Sequence, residues 1–219
     1  MESNEHENQA VAEAIARELD GAGFIQRRLS SEEINGLPMV CYEGPLTVVN
    51  SVAQFRDVLP ALEDEPILGF DTETKPCFRK GVIHLPSIMQ LATKDHVYII
   101  QLDCVPLDIL CGKLLTNAAQ IKAGVAIGED MRQLSMRYPF TPSGHIDLSQ
   151  IAAQNNIASR GLRSMLAAFF GQRISKGSQC SNWSNPSLTR KQIIYAATDA
   201  WIGRKLYLRM LELGLTEMP

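Results

Sequence analysis

The stretch Ile67-Leu68-Gly69-Phe70-Asp71-Thr72-Glu73-Thr74 constrains this chain most, because two acids close what otherwise reads as a buried strand. Residues 67–70 form a short apolar run directly after Pro66, and Gly69 permits a second backbone to come close. Side chains alternate along a strand, so Asp71 and Glu73 emerge on one face. Two carboxylates about 4 Å apart at an effective dielectric near 20 repel each other by about 4 kcal/mol. Protonation or a bound cation must relieve that repulsion, and oxygen-rich clusters suit Mg²⁺ or Mn²⁺. A fold that keeps these acids together has to bring further ligands from elsewhere in the chain.

At 219 residues the chain is long enough for one domain with a good core, burying roughly 70% of its unfolded surface. No apolar run approaches the roughly 20 residues of a membrane span, and the acidic Met1-Glu2-Ser3-Asn4-Glu5-His6-Glu7 does not resemble a secretory signal. The five cysteines are odd in number and include no C-x-x-C pair. That pattern favours reduced thiols in a cytoplasmic setting over a disulfide framework or a zinc site. The net charge of −3 is unevenly spread. Residues 1–70 hold 4 Lys/Arg against 13 Asp/Glu, whereas residues 151–219 hold 9 against 3. The last third can therefore offer phosphates a positive wall or be an ordinary solvated surface.

The pattern of apolar residues and breakers predicts an α/β domain with a mixed sheet covered by helices. Val11, Ile15 and Leu19 predict an amphipathic helix over 7–19, and Ser30-Ser31-Glu32-Glu33 resembles a helix start. Residues 1–45 read as a helical or extended arm, and the globular domain as residues 46–219. Strands are expected at 46–49, at 67–70 with Asp71 and Glu73 at its end, and at 87–93, 96–101 and 121–125. Helices are expected at 51–62 with Ser51 as N-cap, 107–115, 129–138, 147–155 capped by Asp147 with Gln150 at N3, 161–170, and 188–213 with Thr189 as N-cap.

Two further acids stand out. Asp130 lies in the first turn of a helix, where it can also serve only to complement the helix N-terminus, as can Glu129. Asp199 lies inside the last helix, in Tyr195-Ala196-Ala197-Thr198-Asp199-Ala200. An Asp among alanines has poor helix propensity and no local partner. Tyr195, four residues earlier, shares its face, and the small neighbours let that helix approach a sheet closely. The histidines show no metal-ligand spacing, and Trp183 is either a packing anchor or a base-stacking ring.

Phe70-Asp71-Thr72-Glu73-Thr74, then Gly128-Glu129-Asp130 with Leu134, then Tyr195-x-x-x-Asp199 resembles the three motifs of the DEDD 3′→5′ exonuclease superfamily. The resemblance spans about residues 46–213 and is closest to the group of the Werner syndrome exonuclease domain and ribonuclease D. Pro76, Lys80-Gly81, Pro86, Gln90-Leu91, Gly161-Leu162, Lys176, Trp183 and Gln192 agree with it. Tyr195, with Ile rather than His at 194, fits the tyrosine subclass, DEDDy. The resemblance implies a ribonuclease-H-like fold, a nucleic-acid substrate (DNA or RNA 3′ ends) and two divalent ions, Mg²⁺ or Mn²⁺. Asp71, Glu73 and Asp199 would hold one ion, and Asp71, with Asp130 through water, the other. Tyr195 would orient the attacking water and the scissile phosphate, and nucleoside 5′-monophosphates would be released. It also implies substrate contacts by Thr74, Lys75 and Phe78, and a phosphate contact by Lys176.

Two other functions fit parts of the same pattern. Asp71-Thr72-Glu73-Thr74 resembles the D-x-D-x-T motif of phosphatases that form an aspartyl-phosphate, although that chemistry wants Asp at position 73 and gives Tyr195 and Asp199 no role. A module of the same fold that binds nucleic acid without cleaving it is the other.

Overall fold

In a computed structural model, residues 27–77 and 83–218 are described. Six strands form one mixed sheet: β1 (Leu46–Val49), β2 (Ile67–Thr74), β3 (Pro86–Ala92), β4 (Val97–Gln101), β5 (Ile121–Gly124) and β6 (His145–Asp147). Their spatial order is β1-β4-β3-β2-β5-β6. The central β4-β3-β2 strands run antiparallel, whereas β1 pairs parallel with β4, and β5 and β6 add in parallel beyond β2. The described helices are α1 (Ser31–Gly36), α2 (Val52–Asp64), α3 (Leu107–Leu110, continued by a π-helical turn over Cys111–Leu115), α4 (Ile127–Arg137), α5 (Leu148–Gln154), α6 (Leu162–Phe170) and α7 (Arg190–Glu212).

Alternation along β2 builds two cores. Leu68 and Phe70 point into a layer with Phe55 and Leu62 of α2, Leu114 of the π turn, and Met131 and Leu134 of α4. Ile67 points the other way, into a layer with α5, α6 and the C-terminal half of α7. Ile88 and Ala92 of β3 share that second face, covered by Trp183 and by Ala196, Ala197 and Ala200 of α7.

The long helix α7 lies across four strands, and small residues let it sit low. A Cβ added to Gly69 would come 2.0 Å from the carbonyl oxygen of Ala200, so no side chain fits between β2 and α7 at that point. Arg204 completes the seam, donating from Nε to the Ile67 carbonyl at 2.9 Å and pairing with Glu65 at 3.2 Å. At the other end Thr189 and Gln192 form a capping box, and Gln192 Nε2 also donates to the Asn182 carbonyl. The register of α7 on the sheet is thereby fixed at both ends.

Most expected elements are present with small shifts. The 107–115 helix is instead one α turn followed by a π turn. Asp147 caps α5, but it accepts from the Ser149 backbone N–H rather than forming a box with Gln150. The short β6 was not anticipated, because three residues are too few to show a period. Helix α4 starts two residues earlier than expected, after Ala126 in the left-handed region (φ 58°), where the Asp147 carboxylate accepts the Ala126 N–H at 3.0 Å. The helix expected over 7–19 lies outside the described residues. From 27 to 45 the chain runs along the second face: Leu29 and Ile34 bury against Ala167, Met39 bridges Arg173, and the Tyr42 N–H donates to Thr198 Oγ1. None of the five cysteines is in a disulfide. Among the described residues no helix is long and apolar enough to cross a membrane.

Candidate active site

Strand β2 is buried from Ile67 to Phe70 and opens to solvent from Asp71 to Thr74. Its pairing with β3 slips between Glu73 and Thr74, an irregularity of the kind that bends a strand end and re-aims its side chains. Asp71 and Glu73 point towards α7, where Asp199 faces them. Carboxylate oxygens of Asp71, Glu73 and Asp199 all lie within 4.8 Å of one another. Residues 126 and 128 positions apart thus meet because Gly69 and Ala200 allow α7 to touch the sheet.

Asp130 stands outside this group of three. It reaches the far side of the β2 end from α4, and Thr72 Oγ1 donates to its Oδ1 at 2.5 Å. Thr72 points to the α4 face because its neighbours 71 and 73 point to the other. Glu129 turns outward instead and pairs with Arg132. Tyr195 stands one turn before Asp199 on α7, its ring 6.0 Å from that of Trp183. Trp183 is fully buried, so it anchors Tyr195 by packing and is not available to stack a base.

All four carboxyls are held above their ordinary range, chiefly by burial. Asp71 is raised well above it, with the charges of Asp199, Asp130 and Glu73 adding to the desolvation. Glu73 is pushed up to about 9 by burial and then by Asp199 and Asp130. Asp199 rises to about 7, with Tyr195 opposing the shift, and Asp130 to about 6, with the Thr72 hydrogen bond opposing it. The Tyr195 phenol is pushed far up, first by burial and then by Asp199 and Glu73, so it stays a neutral hydrogen-bond donor at any working pH.

A hard divalent cation fits these residues. Three carboxylates offer oxygen ligands only, the donor type that Mg²⁺ and Mn²⁺ take. The buried Oδ1 of Asp199 has no partner, nor has the amide of the fully buried Gln90, directly across from Asp71 on β3. Buried polar atoms are ordinarily satisfied, and a cation at Asp199 would satisfy one of them.

The acids form the floor of a cleft of about 770 Å³. Among the described residues its lining includes Arg28, Arg160, Arg163 and Lys176, and its acids are Asp71, Glu73 and Asp199. Of the expected substrate contacts, Lys176 lines the cleft, whereas Thr74 and Lys75 lie past it at the end of β2. Phe78 is outside the described residues. No local pattern singles out Thr72, Arg28, Ser159 or Arg160. The positive balance of the last third was the one signal that pointed towards Arg160.

The family model described as 3′-5′ exonuclease matches residues 46–214. The chain belongs to this family. Among its exonuclease relatives, the mouse bifunctional 3′-5′ exonuclease/ATP-dependent helicase WRN is 29% identical over 169 residues, covering 74% of this chain and 12% of the relative. The human exonuclease 3′-5′ domain-containing protein 2 is 30% identical over 184 residues, covering 76% of this chain and 29% of the relative. The chain thus spans less than a third of these relatives. The crystal structure of the Aedes aegypti Nibbler EXO domain superposes with a TM-score of 0.71 at 22% identity, covering 80% of this chain and 91% of that one. The mixed sheet and its flanking helices are the ribonuclease-H-like fold of the exonuclease domains.

Proposed function

We propose that residues 46–219, with residues 1–45 as an arm, act as a metal-dependent 3′-5′ exonuclease that hydrolyses the last phosphodiester of a nucleic-acid strand. Water adds to the phosphorus of the terminal linkage, the bond to the 3′ oxygen of the penultimate nucleotide breaks, and that oxygen takes up a proton. A nucleoside 5′-monophosphate leaves.

The gathering of Asp71, Glu73 and Asp199 in a cleft whose other charged side chains, among the described residues, are all cations carries this reading. Asp71, Glu73 and Asp199 would hold one divalent ion, and Asp71 with Asp130 a second. Two such ions, when bound, supply charge to the attacking and leaving oxygens of an in-line displacement. Thr72 fixes the rotamer of Asp130, the role that outer hydrogen bonds play for metal-binding carboxylates. Tyr195, held protonated and braced by Trp183, donates to the attacking water or to a phosphate oxygen. Lys176 contributes positive charge at the cleft wall.

Matched 3′-labelled DNA and RNA strands incubated with Mg²⁺, Mn²⁺ or chelator test the reaction. The expected result is release of labelled mononucleotide with either metal and none with chelator. Asp71→Ala and Asp199→Ala should each lower the rate by about a thousandfold, comparable to removing a charge-stabilising group from an active site, while the protein stays folded. Near-full activity in either variant would show that the site is misassigned.

A further inference from the structure

The cleft wall facing the catalytic acids includes residues N-terminal to the span matched by the exonuclease family. Arg28, Leu29, Ser31 and Ile34 line the cleft, whereas the family match begins at residue 46. Packing and hydrogen bonds hold this wall against α6. Leu29 and Ile34 bury against Ala167 of α6, Ser30 and Glu33 close α1 with a capping box, and Arg163 of α6 donates to Asn35 Oδ1.

Charge in the cleft is segregated: among the described residues its acids are the three that meet at the end of β2, and its other charged side chains are all cations. Arg28 and Arg160 are exposed, and neither has a hydrogen bond or ion pair with another described residue. Between α5 and α6, next to Arg160, Ser159 is 2% exposed and its hydroxyl has no partner. A buried hydroxyl without a partner is costly, and an incoming acceptor would remove that cost. The cleft volume of about 770 Å³ lies in the upper part of the ~300–1,000 Å³ range that encloses one drug-sized ligand. That leaves room beyond a single terminal nucleotide.

We propose that Arg28 from the arm, with Ser159 and Arg160 from the α5–α6 loop, binds the backbone phosphates of a single strand upstream of its terminal nucleotide. This rests on the reading that a nucleic-acid 3′ end occupies the cleft. Guanidinium groups suit the site because their planar fork matches phosphate oxygens, and contacts to phosphate are indifferent to base identity. The arm therefore lengthens the footprint on the strand without imposing a sequence.

Fluorescence anisotropy with labelled oligothymidylates, protected by 3′-terminal phosphorothioate linkages in Mg²⁺, tests the proposal. Wild-type affinity should rise from di- to tetra- to octanucleotide. In Arg28→Glu/Arg160→Glu, confirmed as folded by its melting curve, octanucleotide affinity should fall at least about tenfold, and the slope of log Kd on log[salt] should drop by about 1.4, or about 0.7 per lost contact. Lys94→Glu/Lys113→Glu, two reversals at exposed positions outside the cleft lining, makes the same change in net charge and serves as the control. Octanucleotide binding by Arg28→Glu/Arg160→Glu as tight as by that control would overturn the site. Wild-type cleavage without a gain in affinity with length would overturn it too and leave the exonuclease reading standing. Length-dependent binding lost in Arg28→Glu/Arg160→Glu, with no mononucleotide release by the wild type, would retain the site and remove the exonuclease reading.

Discussion

Thr72, on the face of β2 opposite Asp71 and Glu73, shows how a single side chain can position a carboxylate from another element, here Asp130 of α4. The Thr72 hydroxyl keeps an orientation that lets Asp130 approach the Asp71 end of β2. Replacing it by Val keeps the shape and removes the donor. Thr72→Val should lower kcat by about ten- to a hundredfold, as loss of an outer-sphere partner does, with the melting temperature almost unchanged. Steady-state kinetics with unchanged activity would show that Asp130 needs no orientation. The carboxyls also set a pH dependence. Their ordinary values lie near 4, and in the fold Glu73 is raised to about 9, Asp199 to about 7 and Asp130 to about 6. Between the unfolded and folded values the native state binds more protons than the unfolded chain, so stability falls as pH rises. In chelator the melting temperature should drop from about pH 5 to about pH 9. Millimolar Mn²⁺, by taking the place of those protons, should raise the melting temperature increasingly over the same interval. A metal effect equal at both ends of that range would contradict the assignment of these carboxyls as ligands.

At the scale of elements, the contact between β2 and α7 brings the acids together, and Gly69 is its weakest tolerance. Gly69→Ala would place a methyl 2.0 Å from the Ala200 carbonyl oxygen, and overpacking of this kind costs about 1–3 kcal/mol. Urea unfolding should show a loss of that order, and the Mn²⁺-induced rise in melting temperature should shrink with it because α7 is displaced. A variant as stable and as metal-responsive as wild type would mean that the seam can relax. That Asp199 would meet Asp71 and Glu73 followed from the family resemblance, whereas residues alone showed acids at a strand end and an Asp inside an alanine-rich helix, both of which break local rules. The caps at Ser51 and Thr189 were legible for the same reason: capping is local chemistry. Strand β6 and the π turn after α3 were not, because each depends on which neighbours pack against it. Thr72 escaped notice because a threonine in a strand breaks no rule.

Over the whole molecule, charge is sorted by depth in one cleft, with acids on the floor and Arg28, Arg160, Arg163 and Lys176 above. The sequence showed this only as a positive last third, since Arg28 comes from the acidic first third and joins the others only once the arm folds back. The central claim is that Asp71, Glu73 and Asp199 gather a divalent cation at that floor. Anomalous diffraction from crystals soaked in Mn²⁺ measures this directly. The expected result is a peak in the cleft within about 2.0–2.3 Å of oxygens from all three side chains, near the distance at which small hard cations hold carboxylates. A map with no peak there, at a Mn²⁺ concentration that supports cleavage, would contradict the account.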